Sequence, residues 1–106
     1  MNLAEKTVYY NRLFDIYAPL LTSRQSEVFR YYYHEDYSYQ EIADILEISR
    51  SGVYDTLQRA LALLEEYEEK LRFLHKLDAF FKDLHSLEDH RVDEMIEEFL
   101  KGGKYV

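Results

Sequence analysis

The chain of 106 residues contains no cysteine, one proline and three glycines. Without cysteine there is no disulfide framework, no thiolate metal site and no cysteine nucleophile. So few breakers, with many Leu, Glu, Lys and Ala, favour long helices over many short strands. Two of the three glycines, Gly102 and Gly103, stand together near the C-terminus. No segment approaches the roughly 20 consecutive apolar residues that cross a bilayer. The start, Met1-Asn2-Leu3-Ala4-Glu5-Lys6, has no basic region followed by an apolar run. No secretion signal and no membrane association are therefore expected, and the protein is expected in the cytosol. A glycine-rich phosphate loop and a nucleophile motif are both missing, and no pair of carboxylates stands out as an acid/base couple. The expectation is a non-enzyme without cofactor or metal. His34, His75, His85 and His90 include no pair at the i, i+4 spacing of a helical zinc site. His85 and His90 flank a turn that holds Glu88 and Asp89, which is the weak alternative.

What is present is apolar and acidic. Hydrophobic residues make up 47% and aromatic residues 16%, enough for a packed core. The net charge is -8. Most affinity for nucleic acid comes from Lys and Arg neutralising phosphates, so tight non-specific binding is disfavoured.

Apolar positions recur with helical period from Leu3 to Leu21. One stripe is Tyr9, Leu13, Ile16 and Leu20, and a parallel one is Tyr10, Phe14, Tyr17 and Leu21, with Pro19 terminating or bending the helix. Thr22 and Gln25 have capping-box spacing and open a second helix to about Tyr33, before the polar break His34-Glu35-Asp36. Ser38 and Glu41 repeat that spacing before Ile42, Ala43, Ile45 and Leu46. Ser49 is the next N-cap. From Val53 to Leu84 apolar residues step by three or four, with a phase slip near Glu68 and Asp78. This predicts one long helix, or two nearly collinear ones, ending near His85. Ser86 restarts the chain, with Glu88 and Asp89 in the first turn of a last helix. That helix carries Val92, Met95, Ile96, Phe99 and Leu100, and Gly102-Gly103 stops it.

Between Ser38 and Leu57 the pattern meets the demands of two helices crossing through a tight turn. Ala43 is small where the helices touch, Ile48 anchors the turn, Ser49 caps the second helix, and Val53 and Leu57 return to the core. Arg50, Ser51, Tyr54, Asp55, Gln58 and Arg59 then point outward, the side that faces a major groove when DNA is bound. The alternative for Arg50, Gln58 and Arg59 is a solvated helix face, and Arg24 and Arg30 read as surface solubility. The tyrosines at 31, 32, 33, 37 and 39 read as core packing with hydroxyls reaching water, with base stacking as the alternative. Three consecutive tyrosines cannot share one helix face, so at least one is expected to point outward. Glu65-Glu66-Tyr67-Glu68-Glu69 reads as a solvated face or, more sharply, a dock for a basic partner.

The stretch from Leu21-Thr22-Ser23-Arg24-Gln25 through Ser38-Tyr39-Gln40-Glu41-Ile42-Ala43 to Ile48-Ser49-Arg50-Ser51-Gly52-Val53 resembles sigma-factor region 4 over residues 20 to 64. Glu47 stands where that family usually has glycine. A closer resemblance spans nearly the whole chain. Asn11-Arg12-Leu13-Phe14-Asp15-Ile16-Tyr17, Tyr31-Tyr32-Tyr33 before an acidic pair, and Ser49-Arg50-Ser51-Gly52-Val53-Tyr54-Asp55 are similar to the YlxM family of small bacterial helix-turn-helix proteins. So is Leu64-Glu65-Glu66-Tyr67-Glu68-Glu69-Lys70-Leu71. That resemblance implies a DNA-binding or regulatory role tied to the signal recognition particle, whose genes neighbour the family's. The alternative it leaves is an accessory that binds proteins of the particle or its receptor and not DNA.

The expected fold is all-α, a sigma region 4-like helix-turn-helix bundle with a long C-terminal helix and a helical hairpin. Residues 1–64 form the helix-turn-helix domain, and residues 65–106 a C-terminal extension whose apolar seam predicts homodimerisation.

Overall fold

The computed structural model describes residues 1–102 and is all-helical over that range. The helices are α1 (Leu3–Tyr17), α2 (Ser23–Tyr33), α3 (Tyr39–Leu46), α4 (Arg50–Leu71), α5 (Phe73–His85) and α6 (His90–Lys101), with a 3₁₀ turn at Ala18–Leu20. They form two compact units, Met1–Arg72 and Phe73–Val106. The boundary expected after Leu64 falls inside α4, where Leu64 is fully buried in the first unit.

In the first unit α4 is the central element and packs against α1, α2 and α3. Leu13, Tyr17, Val28, Phe29, Ile42, Val53, Leu57 and Leu64 are its fully buried large side chains. The Phe14 and Phe29 rings stack with centroids 4.1 Å apart, joining α1 to α2. The α1 stripe that goes inside is Phe14, Tyr17 and Leu21 with Leu13, whereas Leu20 is 53% exposed. Pro19 is the cause. It has no N–H to continue the α-helical ladder, so α1 ends at Tyr17 and, with Ala18 still in the right-handed helical region, the chain tightens into the 3₁₀ turn. The tighter turn swings Leu20 off the expected stripe.

The predicted caps of α2, α3 and α4 are present. Thr22 accepts from the Gln25 N–H at 3.1 Å while the Gln25 side chain accepts from the Thr22 N–H at 3.0 Å. The apolar run that follows Ser49 is divided into two helices at Arg72, whose φ of 56° and ψ of 29° are left-handed. Neither proline nor glycine marks this break; its N–H still donates to the Glu68 carbonyl at 2.8 Å, closing α4.

In the second unit α5 and α6 pack on each other, with the Phe81 and Phe99 rings edge to face at 5.6 Å. The start of α6 differs from the sequence expectation. Its N-cap is Asp89, which accepts from the Arg91 N–H at 2.9 Å. Ser86 belongs to the end of α5 instead: its N–H donates to the Lys82 carbonyl and its hydroxyl to that of Asp83. A short carboxylate beside the helix start caps better than a serine three residues upstream. Gly102, at φ 77°, ends α6; Gly103 lies outside the described residues. Among the described residues no helix is long and apolar enough to cross a membrane.

Candidate nucleic-acid interface

The candidate face is built by local rules around the α3–α4 corner. At the start of α3 the Ser38 hydroxyl accepts from the Glu41 N–H at 3.1 Å, and Glu41 returns the bond to the Ser38 N–H at 3.0 Å. Two otherwise orphaned donors are satisfied reciprocally, so α3 starts at one defined residue. Ile42 and Ala43 are buried, and at 2% exposure Ala43 is the small residue that lets α3 approach α4.

The turn rests on Glu47 in the left-handed region, φ 56° and ψ 43°. Its N–H and that of Ile48 both donate to the Ala43 carbonyl, and the chain then reverses into Ser49. Glycine pays no Cβ penalty in this conformation, while glutamate does. Glu47→Gly is therefore expected to stabilise the first unit by about 1 kcal/mol, raising its melting temperature by several degrees. A calorimetric scan checks this, and an unchanged or lowered melting temperature contradicts it.

Ser49 caps α4 by accepting from the Gly52 N–H at 3.0 Å. A Cβ on Gly52 would lie 3.0 Å from the Ser49 Oγ, so glycine keeps the capping hydroxyl in place. From this cap α4 presents two opposed stripes. Val53, Leu57, Ala60, Leu61 and Leu64 are buried. Arg50, Ser51, Tyr54, Asp55, Gln58 and Arg59 are all exposed. Neither Arg50 nor Arg59 makes an ion pair among the described residues, which leaves both guanidiniums available to an anion. Arg24, by contrast, lies 3.8 Å from Glu27.

Tyrosines join this face to the core. Tyr54 meets the Tyr39 ring edge to face at 5.7 Å, Tyr39 meets Tyr32 at 5.0 Å, and Tyr32 stacks beside Tyr33 at 5.1 Å. Tyr33 stacks on the buried Phe29 at 4.6 Å. All three of Tyr31, Tyr32 and Tyr33 are half-buried, so none points freely outward as expected. The loop after α2 and the start of α3 fold back over them: Tyr37 covers Tyr31 at 5.6 Å and Tyr39 covers Tyr32. Burial, then a hydrogen bond with Tyr32, pushes the Tyr39 phenol up to about 12. Tyr10, Tyr32, Tyr33, Tyr37 and Tyr39 also line a surface groove of about 750 Å³, with Lys6 and Arg50 among its walls. Arg50 is thus shared by groove and outward face.

The acidic stretch near the end of α4 is more committed than its sequence indicates. Glu65 accepts from the Tyr10 hydroxyl at 2.9 Å and Glu68 from the Tyr17 hydroxyl at 2.7 Å. Glu66 pairs with Lys70 at 2.8 Å. Burial, then the bond to Glu65, pushes the Tyr10 phenol up to about 12. Two of these carboxylates clamp α4 to α1. Among the described residues no group of three or more acidic, His or Cys side chains is placed to hold a metal. His85 faces Asp93 at 3.0 Å and His90 faces Glu94 at 2.9 Å, as separate pairs.

A family model described as "Putative helix-turn-helix protein, YlxM / p13 like" matches residues 4–101. A UPF0122 protein from Oceanobacillus iheyensis is 39% identical, covering 93% of this chain and 94% of its own. One from Bacillus cereus is 46% identical over 88% of this chain and 90% of its own. One from Anoxybacillus flavithermus is 44% identical over 83% and 80%. With the capped α3–turn–α4 corner in place and the match running nearly end to end, the chain belongs to the UPF0122 family of YlxM/p13-like helix-turn-helix proteins.

Proposed function

We propose that the protein is a regulator that binds duplex DNA through the outward face of α4. The observation that carries this is the α3–α4 corner itself. Capped at both helix starts, it holds Arg50, Ser51, Tyr54, Asp55, Gln58 and Arg59 together and exposed on one side. A recognition helix reads base edges from its first turns, where Arg50, Ser51 and Tyr54 sit. Arg50 is suited to guanine or to a phosphate, Gln58 to adenine, and Asp55 to the amino group of cytosine. With a net charge of -8 and few cations near the face, affinity comes from base contacts more than from counterion release. Binding is accordingly expected to be sequence-dependent, with a shallow dependence on salt.

The test is a selection of genomic fragments by the purified full chain, followed by affinity measurement on the selected site. An enriched motif is expected. Arg50→Ala is then expected to weaken binding to that motif about tenfold, the loss of one base or phosphate contact, with unchanged helical content. An enriched motif bound equally well by Arg50→Ala and Arg59→Ala would remove α4 as the reader.

The net charge of -8 favours a second reading, in which the corner is a scaffold and the acidic surface meets a basic protein. The family resemblance points to the signal recognition particle or its receptor as that protein. This reading expects no enriched fragment, and co-purification with the particle that falls as salt rises.

A further inference from the structure

The second unit is short of a core. Its helices have 13 and 12 residues, Leu74 is the buried residue among those described, and α6 buries none. Helices of that length are marginal without packing, and a unit this small commonly needs a partner to hold it. Phe80 is 57% and Leu87 is 63% exposed.

One side of α5 has a regular spacing. Phe73, Leu77, Phe80 and Leu84 follow one another at intervals of four, three and four; Phe73 and Phe80 are exposed, Leu77 and Leu84 half-buried, and Leu87 lies in the turn after the helix. These are the alternating d and a positions of a heptad, the pattern that seats one helix along another. On one flank α6 covers the neighbouring Phe81 through Phe99. On the other flank, one residue before each a position, stand Lys76 and Asp83, both exposed.

We propose that α5 pairs with α5 of a second copy of this chain, antiparallel, about a two-fold axis between Leu77 and Phe80. In that register Phe73 meets Leu84 of the second copy and Leu77 meets its Phe80, and the symmetry repeats both layers. Lys76 then lies beside Asp83 of the second copy, and Asp83 beside its Lys76. A two-fold interface must be complementary to itself, and this flank is. A parallel pairing lacks that match, since its flanking contacts join residues five apart: Lys76 would face Phe81 of the second copy, and the residue five beyond Asp83 lies past the end of α5. A basic helix is a poorer occupant: within α5, Lys76 and Lys82 balance Asp78 and Asp83, leaving no acidic excess to attract it. Four apolar layers make a small interface, so the dimer is weak and concentration-dependent. The proposal stands apart from DNA binding.

Sedimentation equilibrium of the full chain, from micromolar to millimolar concentration, tests it. A reversible shift from the 12.9 kDa monomer toward twice that mass is expected. Phe80→Glu is expected to hold the chain at monomer mass throughout. Lys76→Asp or Asp83→Lys alone sets two like-charge pairs in each dimer, and should raise the dissociation constant roughly threefold to tenfold at low salt. The double variant K76D/D83K exchanges the partners and should recover the wild-type constant. A monomer at every concentration overturns the proposal. So does a dimer that Phe80→Glu leaves intact, which would place the interface elsewhere. Single reversals that weaken the dimer without rescue by the double variant overturn the antiparallel register.

Discussion

Phe29→Ala is expected to cost the first unit about 3–5 kcal/mol, the range for truncating a buried aromatic. Phe29 is fully buried. Its ring stacks on Phe14 at 4.1 Å and Tyr33 at 4.6 Å, and takes the His34 ring edge-on at 5.8 Å. Alanine would remove the ring that α1 and the end of α2 both rest on, and helices held apart by α4 cannot close over the space. A unit running from Met1 to Arg72 has on the order of 4–11 kcal/mol of stability in total, so this one change removes a large share of it. Urea unfolding followed by far-ultraviolet circular dichroism measures the loss. Phe29→Leu keeps most of the volume and should cost less than half as much. A loss below about 1 kcal/mol for the alanine variant would mean that the aromatic stack is not the core of this unit. Because the ring chain runs from Phe29 through Tyr33, Tyr32 and Tyr39 to Tyr54, the same variant should also loosen the candidate DNA face.

Tyr17→Phe is expected to cost about 1.5–3 kcal/mol, the usual value of a hydrogen bond to a charged group. The phenol ring of Tyr17 is 1% exposed, and its hydroxyl donates to the half-buried Glu68 carboxylate at 2.7 Å. The phenylalanine variant keeps the packing and deletes only the donor, so the carboxylate loses a partner it cannot fully replace with water. Glu68→Gln retains an acceptor and should be milder. The double variant should cost less than the sum of the two, since both act on one bond. Urea unfolding of the four proteins gives the coupling. A Tyr17→Phe protein as stable as the wild type would show that this clamp between α1 and α4 contributes nothing.

The helix starts were legible because capping is local. Thr22 with Gln25, Ser38 with Glu41, and Ser49 each satisfy donors within three residues, and the same bonds form in the fold. The exposed stripe of α4 was legible for a similar reason, since helical period alone sets Asp55 and Arg59 opposite Leu57 and Leu64, while Arg50 is exposed as the first residue of the helix. Other features depend on distant or competing partners. Ser86 and Asp89 both have cap chemistry, and only the path of the chain decides that Asp89 starts α6. Arg72 takes a left-handed conformation that no residue type announces, so an apolar run readable as one helix becomes two.

By itself, then, the sequence determined the all-helical class, the caps of α2, α3 and α4, the α3–α4 corner and the six side chains on its outer face. Each follows from bonds or periodicity spanning a turn or two of chain. The tertiary structure decided what the acidic stretch and the tyrosines do. Glu65 and Glu68 are a solvated face until α1 folds alongside, when hydroxyls from Tyr10 and Tyr17, 55 and 51 residues away, turn them into clamps. Tyr31, Tyr32 and Tyr33 cannot share one face of a helix, yet all become half-buried because the loop after α2 and the start of α3 fold over them. Such contacts have no signature in local spacing: their partners are joined by packing and not by the chain, so only the closed fold brings them together.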